Sequence, residues 1–410
     1  MSTLLFFVRN AVTFPFTWIG RGARTHASNT HIADGRLYAL DLARFVAMVF
    51  MMQGHVLDAV VNRSDLVVTE FPWNLWHLIR GFTAPVFLMV SGAVHAFATK
   101  RDDDGKVRDD VLAKRIRWAF TIIGIGYLLT FPASRIWDLP FVPEANWQTF
   151  LQVNILQLTG ATMLLFVVVI ASTKNVAQMG RRGLVAALVI LALSPLMQHT
   201  ASLSALPFWV RAFLDAGTGS IFPIFPFSAY LFVGLYIGAL LHAIPKEQRD
   251  TALMHNGWRY GVVIAAAGLA AQFIMLHLGT PMQELEGPMS IPLFVRRVGV
   301  VLVVFSGAVW ILNRTWRYRN WYSLFGTKSL WIYTIHLIIL FGTPWTSSVG
   351  RTHFHKLSVE TGVLLAVAII AITLLCALTF DWYAKQQWAP RWKRPILIAG
   401  YGALVLALIF

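Results

Sequence analysis

The chain has 410 residues, 57% of them hydrophobic and 13% charged, with a mean hydropathy of +0.62. These values exclude an ordinary soluble enzyme, whose charged fraction is about 25%, and they exclude disorder, because Leu-, Phe-, Trp- and Val-rich stretches recur from end to end. One cysteine, Cys376, rules out a disulfide framework within the chain, and the net charge of +15 points either to nucleic acid or to membrane topology.

Residues 1–35 mix Leu4, Leu5, Phe6, Phe7, Phe14, Phe16 and Trp18 with Arg9 and Pro15. That stretch is too interrupted to span a bilayer and has no small-residue cleavage site, so it is expected to lie on the cytoplasmic interface. Residues 36–410 are expected to form one all-α transmembrane bundle. Segments of about 17–25 apolar residues cross about 30 Å of hydrocarbon as helices. Eleven such segments follow in order: 38–58, 74–98, 116–133, 149–171, 183–200, 221–242, 259–278, 295–313, 325–343, 358–380 and 394–410. Lys and Arg alternate between the connections. Counting cations at span ends with the adjoining connection, 25 of the 34 fall in the amino-terminal segment and every second connection after it and seven in the others, which leaves only Arg44 and Arg80 well inside spans. The amino terminus is therefore expected in the cytoplasm and the carboxyl terminus outside, and the positive charge reads as orientation signal rather than nucleic-acid binding. No internal repeat is visible. The connections are too short for a separate soluble catalytic domain, so any chemistry belongs to the bundle.

Ionisable groups at membrane depth cost about 2.5–3.5 kcal/mol each on insertion scales and are the first functional candidates. In RLYALDLARFVAMVFMMQGHVLDAV, Asp41, Arg44, Gln53, His55 and Asp58 interrupt the first span. Eleven residues separate Arg44 from His55, which returns the two side chains to within about 20° of one another and about 16 Å apart along the axis. Asp41 stands three residues before Arg44, within reach of an ion pair. A donor arriving from the cytoplasm fits this stripe. Acyl-CoA has phosphates for basic partners at the inner face and a flexible arm of about that length, which would bring its thioester near His55. A neutral imidazole is suited to take a proton from an acceptor hydroxyl or amine, with Asp58 or another carboxylate fixing its tautomer. The competing reading makes His55 a packed membrane histidine and Arg44 a snorkelling anchor.

FPWNLWHLIRGFTAPVFLMVSGAVHAFA in the second span places His77 and Arg80 at about the depth of His55. Arg80 suits an anionic acceptor group or the oxyanion of a tetrahedral intermediate, or else simply pairs with Asp58. His95, nearer the cytoplasmic end, reads as structural. The run KRDDDGKVRDDVLAKRIRWAF contains five acids among its bases, which leaves Lys114, Arg115 and Arg117 as candidate contacts to a donor phosphate, or as positive-inside anchors. Arg296 and Arg297 open the eighth span against the charge bias and suit anion binding or interfacial anchoring. In the ninth span, SLWIYTIHLIILFG adds Tyr333 and His336 as possible site residues. Cys376 reads as inert packing. The sequence contains no zinc-type cluster, Walker loop or dinucleotide glycine loop, so no metal is expected.

Arg36, Asp41 and Arg44, followed by the R-x10-H arrangement Arg44…His55, resemble the transmembrane acyltransferase superfamily. This includes the acyltransferase-3 proteins and the heparan-α-glucosaminide N-acetyltransferase-like proteins. WHLIRGFTAPVFLMVSG and IYTIHL look more like bacterial relatives of the second group, and the span pattern extends the likeness over roughly residues 36–380. The resemblance implies transfer of an acyl group, usually acetyl, from cytoplasmic acyl-CoA to a sugar or glycan-type acceptor beyond the membrane. His55 would be the catalytic histidine and Arg44 its motif partner, in a bacterial cytoplasmic (inner) membrane. The basic element that contacts CoA in acyltransferase-3 proteins is matched only loosely, by Arg115 and Arg117, and acceptor choice would fall to outer loops and helix ends. Intramembrane Arg, Asp and His also suit a transporter of an anionic metabolite or lipid-linked sugar, and a non-catalytic membrane partner is the third possibility.

Overall fold

A chain in hydrocarbon must satisfy its backbone N–H and C=O groups within itself, and helices do this segment by segment. The computed structural model describes residues 36–197 and 203–386 with the isolated positions 395, 403 and 406, and among these described residues every regular element is a helix, with no β-strand. The expected segment 1–35 lies outside the described residues, as does all but three positions of the expected span 394–410.

The helices used below are α1 (Tyr38–Val60), α2 (Trp73–Arg80), α3 (Thr83–Ala98), α4 (Asp109–Leu129), α5 (Glu144–Leu151), α6 (Ile155–Ala171), α7 (Val176–Met197), α8 (Ile224–His242), α9 (Arg249–His277), α10 (Ile291–Arg314), α11 (Arg319–Thr327), α12 (Ser329–Phe341) and α13 (Val359–Lys385). Among the described residues seven helical segments are long and apolar enough to cross a membrane, or nine if each of two bent pairs is one span. The bent pairs are α5 with α6, at 50°, and the stretch Trp316–Thr327 with α12, at 64°. They correspond to the expected spans 149–171 and 325–343. The expected span 116–133 falls within α4, whose first turns carry Asp109, Asp110, Lys114, Arg115 and Arg117 and so shorten its apolar run.

At the centre lies α1, against which α3, α10, α11, α12 and α13 all pack. Its sequence explains the position: Met48, Met52, Val56 and Val60 recur every four residues, which stacks them on one face, and all four are essentially unexposed. Close helix contact elsewhere depends on missing side chains. A Cβ on Gly92 of α3 would stand 1.9 Å from the carbonyl oxygen of Leu231, and one on Gly234 of α8 would stand 2.1 Å from that of Met89, so the two backbones touch directly. The outer surface is apolar. Leu364, Val367 and Leu375 of α13 are 60–71% exposed in the isolated chain, and Val263 and Phe273 of α9 are similarly bare. Such faces belong against lipid tails, and the chain is an integral membrane protein. Cys376, expected as packing, is exposed on the same helix.

Candidate functional site

Arg44 and His55 sit on one stripe of α1, as their spacing predicts, and α11 and α12 supply partners to both. Helix α11 ends at Thr327, leaving its last carbonyls without intrahelical donors, and Arg44 Nη1 donates to the Gly326 carbonyl at 3.2 Å. A guanidinium at the carboxyl end of a helix is also favoured by the helix dipole. Arg44 Nη2 donates to Ser91 Oγ at 3.4 Å, while its Nε is buried with no hydrogen-bond partner. The ion pair expected with Asp41 is not formed. Asp41 instead accepts from Arg36 Nε at 2.7 Å, because the Arg44 side chain is turned toward α3 and the end of α11.

Beyond the break, α12 runs past the other end of α1. There the Nδ1 of His55 meets the Nε2 of His336 at 3.2 Å, with the two rings nearly parallel at 16° and 5.5 Å between centroids. His336 is fully buried, and its own Nδ1 lies 3.1 Å from the Ile332 carbonyl. A carbonyl oxygen only accepts, so in the neutral ring Nδ1 of His336 bears the proton and Nε2 a lone pair. That lone pair accepts from His55 Nδ1–H, which leaves the Nε2 of His55 unprotonated. The structure therefore fixes the proton inventory of His55 through a second histidine rather than through the expected carboxylate.

Asp58 has a different partner. Its carboxylate holds the Arg80 guanidinium in a two-pronged pair, Nη1 to Oδ1 at 2.8 Å and Nη2 to Oδ2. Arg80 also lies over the Trp76 ring at 4.3 Å, and Trp76 Nε1 donates to Gln53 Oε1 at 3.0 Å. This cluster needs Gly54, since a Cβ there would come within 2.5 Å of Arg80 Nε.

His55, Asp58, His77 and Arg80 line a cavity of about 880 Å³, within the usual range for a small-molecule site. Its wall continues through Gly126 of α4 and Thr130 just after that helix, Asn154 and Gln157 at the start of α6, residues 219–222, Glu286, Arg297 of α10, and Tyr333 and Leu337 of α12. On α1 the lining reaches inward to Met51, one turn from His55, and does not include Arg44. Arg296 is not among the lining residues and donates to Glu286, which is, at 3.1–3.2 Å. The donor-contact candidates are not gathered at this cavity. Lys114 and Arg117 are exposed, and Arg115 is folded back on α3, with its Nη1 2.6 Å from His95 Nδ1 and its Nη2 donating to Thr99 Oγ1 and the Ala98 carbonyl.

A family model described as an acyltransferase domain matches residues 37–382, which is nearly all of the described bundle. The chain belongs to the acyltransferase-3 family. It is thus a multi-pass membrane acyltransferase, and the match spans both Arg44 and His55 as well as α11 and α12. The comparison with curated proteins yields no match. Among the described residues of this acyltransferase-3 protein no group of three or more His, Cys, Asp or Glu side chains is placed to hold a metal ion.

Among the wall residues that the sequence reading did not single out are Gln157, Glu286 and Thr130. Gln157 was legible only as the last position of an N-x-x-Q pattern at a helix start, where its Oε1 accepts from the Asn154 backbone N–H at 3.3 Å. Glu286 was legible only as an acid ten residues before Arg296. Nothing in the sequence marks Thr130.

Proposed function

We propose that this chain moves an acyl group, acetyl in the simplest case, from acyl-CoA to a hydroxyl or amine of a sugar or glycan-type acceptor. The donor approaches from the cytoplasm, where the positive-inside pattern puts the amino terminus, and the acceptor enters the cavity from the opposite side of a bacterial cytoplasmic membrane. The observation that carries the reading is the free Nε2 of His55 at the cavity wall, with its Nδ1 proton tied to His336. A base with that tautomer can act on a neutral nucleophile at once.

The acceptor O–H or N–H gives its proton to His55 Nε2 as the oxygen or nitrogen attacks the thioester carbonyl. Collapse of the tetrahedral carbon breaks the C–S bond, and the proton on His55 passes to the departing CoA sulfur. Bonds and protons balance without a metal. Arg80 is already paired with Asp58, so it offers the reacting carbonyl neither a free fork of donors nor an uncompensated charge, and its part is to shape the wall beside His55. Arg44, 11 residues away on the same stripe, holds the end of α11 and would meet the donor before the thioester reaches His55. Asp41, by holding Arg36, stands at the same entrance. Lys114 and Arg117, exposed at the start of α4, are the cations open to the CoA phosphates, and Arg115 braces the end of α3 behind them. His77 and Arg297 face the acceptor. The likeness of WHLIRGFTAPVFLMVSG and IYTIHL to heparan-α-glucosaminide N-acetyltransferase-like proteins is the reason an amine stands beside a hydroxyl as the acceptor group.

The test supplies labelled acetyl-CoA to the cytoplasmic face of inside-out vesicles containing the full chain. Label should pass to an acceptor in a protein-dependent manner and the transfer should be lost in His55→Ala. Product formed at the normal rate by His55→Ala would overturn the assignment of the base.

A further inference from the structure

The charges around the cavity do not cancel. Asp58 is matched by Arg80, and Glu286, the other carboxylate of the wall, is matched by Arg296. Arg297 remains. Its electrostatic neighbour is the Tyr230 hydroxyl, a neutral group, and no carboxylate among the described residues lies within ion-pairing distance of it. Its Nη2 lies beside Gly81, at the junction of α2 and α3 just after Arg80, which places this cation on the same wall as the Arg80–Asp58 pair. A second, independent feature is Gln157. Its side chain is wholly buried, its Oε1 is engaged by the Asn154 N–H, and its Nε2 has no partner although the residue lines the cavity. A buried N–H without an acceptor is costly, and a cavity carrying both an unmatched cation and an unused donor is short of acceptor atoms.

We propose that the acceptor is an anionic polyol, a sugar bearing a carboxylate or a phosphate. Its acidic group pairs with Arg297, a hydroxyl or ring oxygen accepts from Gln157 Nε2, and the group to be acylated is presented to His55. The paired state of Glu286 matters here, because a free carboxylate in the wall would repel such a ligand, and Arg296 removes that charge. The inference rests on the acyltransferase reading for its chemistry, but the binding it requires can be measured without transfer.

The experiment uses the purified full chain in a phosphate-free buffer and measures thermal stabilisation by glucuronate, glucose 6-phosphate and glucose, in the wild type, Arg297→Gln, Arg297→Lys and Gln157→Leu. One or both anionic sugars should bind at least about tenfold more tightly than glucose, the difference should disappear in Arg297→Gln and return in part in Arg297→Lys, and Gln157→Leu should weaken anionic and neutral sugars alike. The carboxylate and phosphate arms identify which acid the site prefers. Equal binding of glucose and both anionic sugars, a preference unchanged in Arg297→Gln, or stabilisation by none of the three would overturn the proposal. The vesicle assay with labelled acetyl-CoA, run in parallel on the wild type, separates the two readings. Anionic-sugar binding without His55-dependent acyl transfer would leave the anion site standing and remove the enzymatic role, whereas transfer without charge preference would do the reverse.

Discussion

Replacing His336 with leucine removes the acceptor of the His55 Nδ1–H while keeping an apolar side chain in a fully buried position. The neutral His55 ring then has two choices. It can keep the proton on Nδ1, now unpaired in a partly buried place at a cost of about 1–3 kcal/mol, or it can carry the proton on Nε2, facing the cavity. The second choice avoids the cost and abolishes the base. At about 1.4 kcal/mol per factor of ten, the productive tautomer falls to between about one fifth and one hundred-and-fiftieth of its former share, and kcat/KM should fall by the same factor. His336→Gln is the informative partner. A glutamine oxygen reaches about the place of the imidazole Nε2 and can accept the same proton, so this variant should recover most of the loss. Initial rates with labelled acetyl-CoA in inside-out vesicles, at matched protein levels, give both numbers, and KM for the donor should barely move because His336 does not line the cavity. A leucine variant as fast as the wild type would refute the tautomer argument, and so would a glutamine variant no faster than leucine.

Gly54→Ala should be among the most damaging small substitutions on α1, since its methyl would lie 2.5 Å from Arg80 Nε; displacement of the guanidinium should cost about 1–3 kcal/mol of stability and lower transfer, read by thermal unfolding in detergent and by the vesicle assay. Arg44→Lys keeps the charge but not the two-pronged geometry toward Gly326 O and Ser91 Oγ, so the melting temperature should drop and transfer should fall about tenfold or more, whereas Ser91→Ala, which removes only the longer 3.4 Å contact, should stay within a few-fold of the wild type. Gly92→Val drives a side chain into the Leu231 carbonyl and should prevent the α3–α8 contact, seen as loss of the monodisperse peak in size-exclusion chromatography; Gly124→Ala, with nothing within 4 Å, is the matched control and should leave the peak intact.

The sequence makes α1 legible because two periodicities coincide there. Apolar residues recur every four positions, and the polar exceptions Arg44 and His55 fall on one stripe. The partners are not legible, since spacing says who can meet along one helix but not what a second helix brings. Asp41 is near enough in sequence to serve either Arg36 or Arg44, and only the arrival of Gly326 O and Ser91 near Arg44 decides the matter. Asp58 is likewise the nearest carboxylate to His55 by count, yet Arg80 claims it.

The bend between α11 and α12 shows why hydropathy could not have found the histidine pair. The stretch 325–343 reads as one apolar span, and as one straight helix it would place residues 326 and 336 about 80° apart around the axis, since ten steps of 100° fall short of three full turns by that amount. On α1 the corresponding pair, Arg44 and His55, is only about 20° apart. A straight neighbour could therefore serve one member of the pair and would turn away from the other. The 64° break at Lys328 supplies the missing reorientation, ending one helix so that its carbonyl is free for Arg44 and starting another whose His336 faces His55. The break is thus what makes the two conspicuous residues of α1 parts of one site, and a substitution that straightens it should uncouple them even though neither residue is touched.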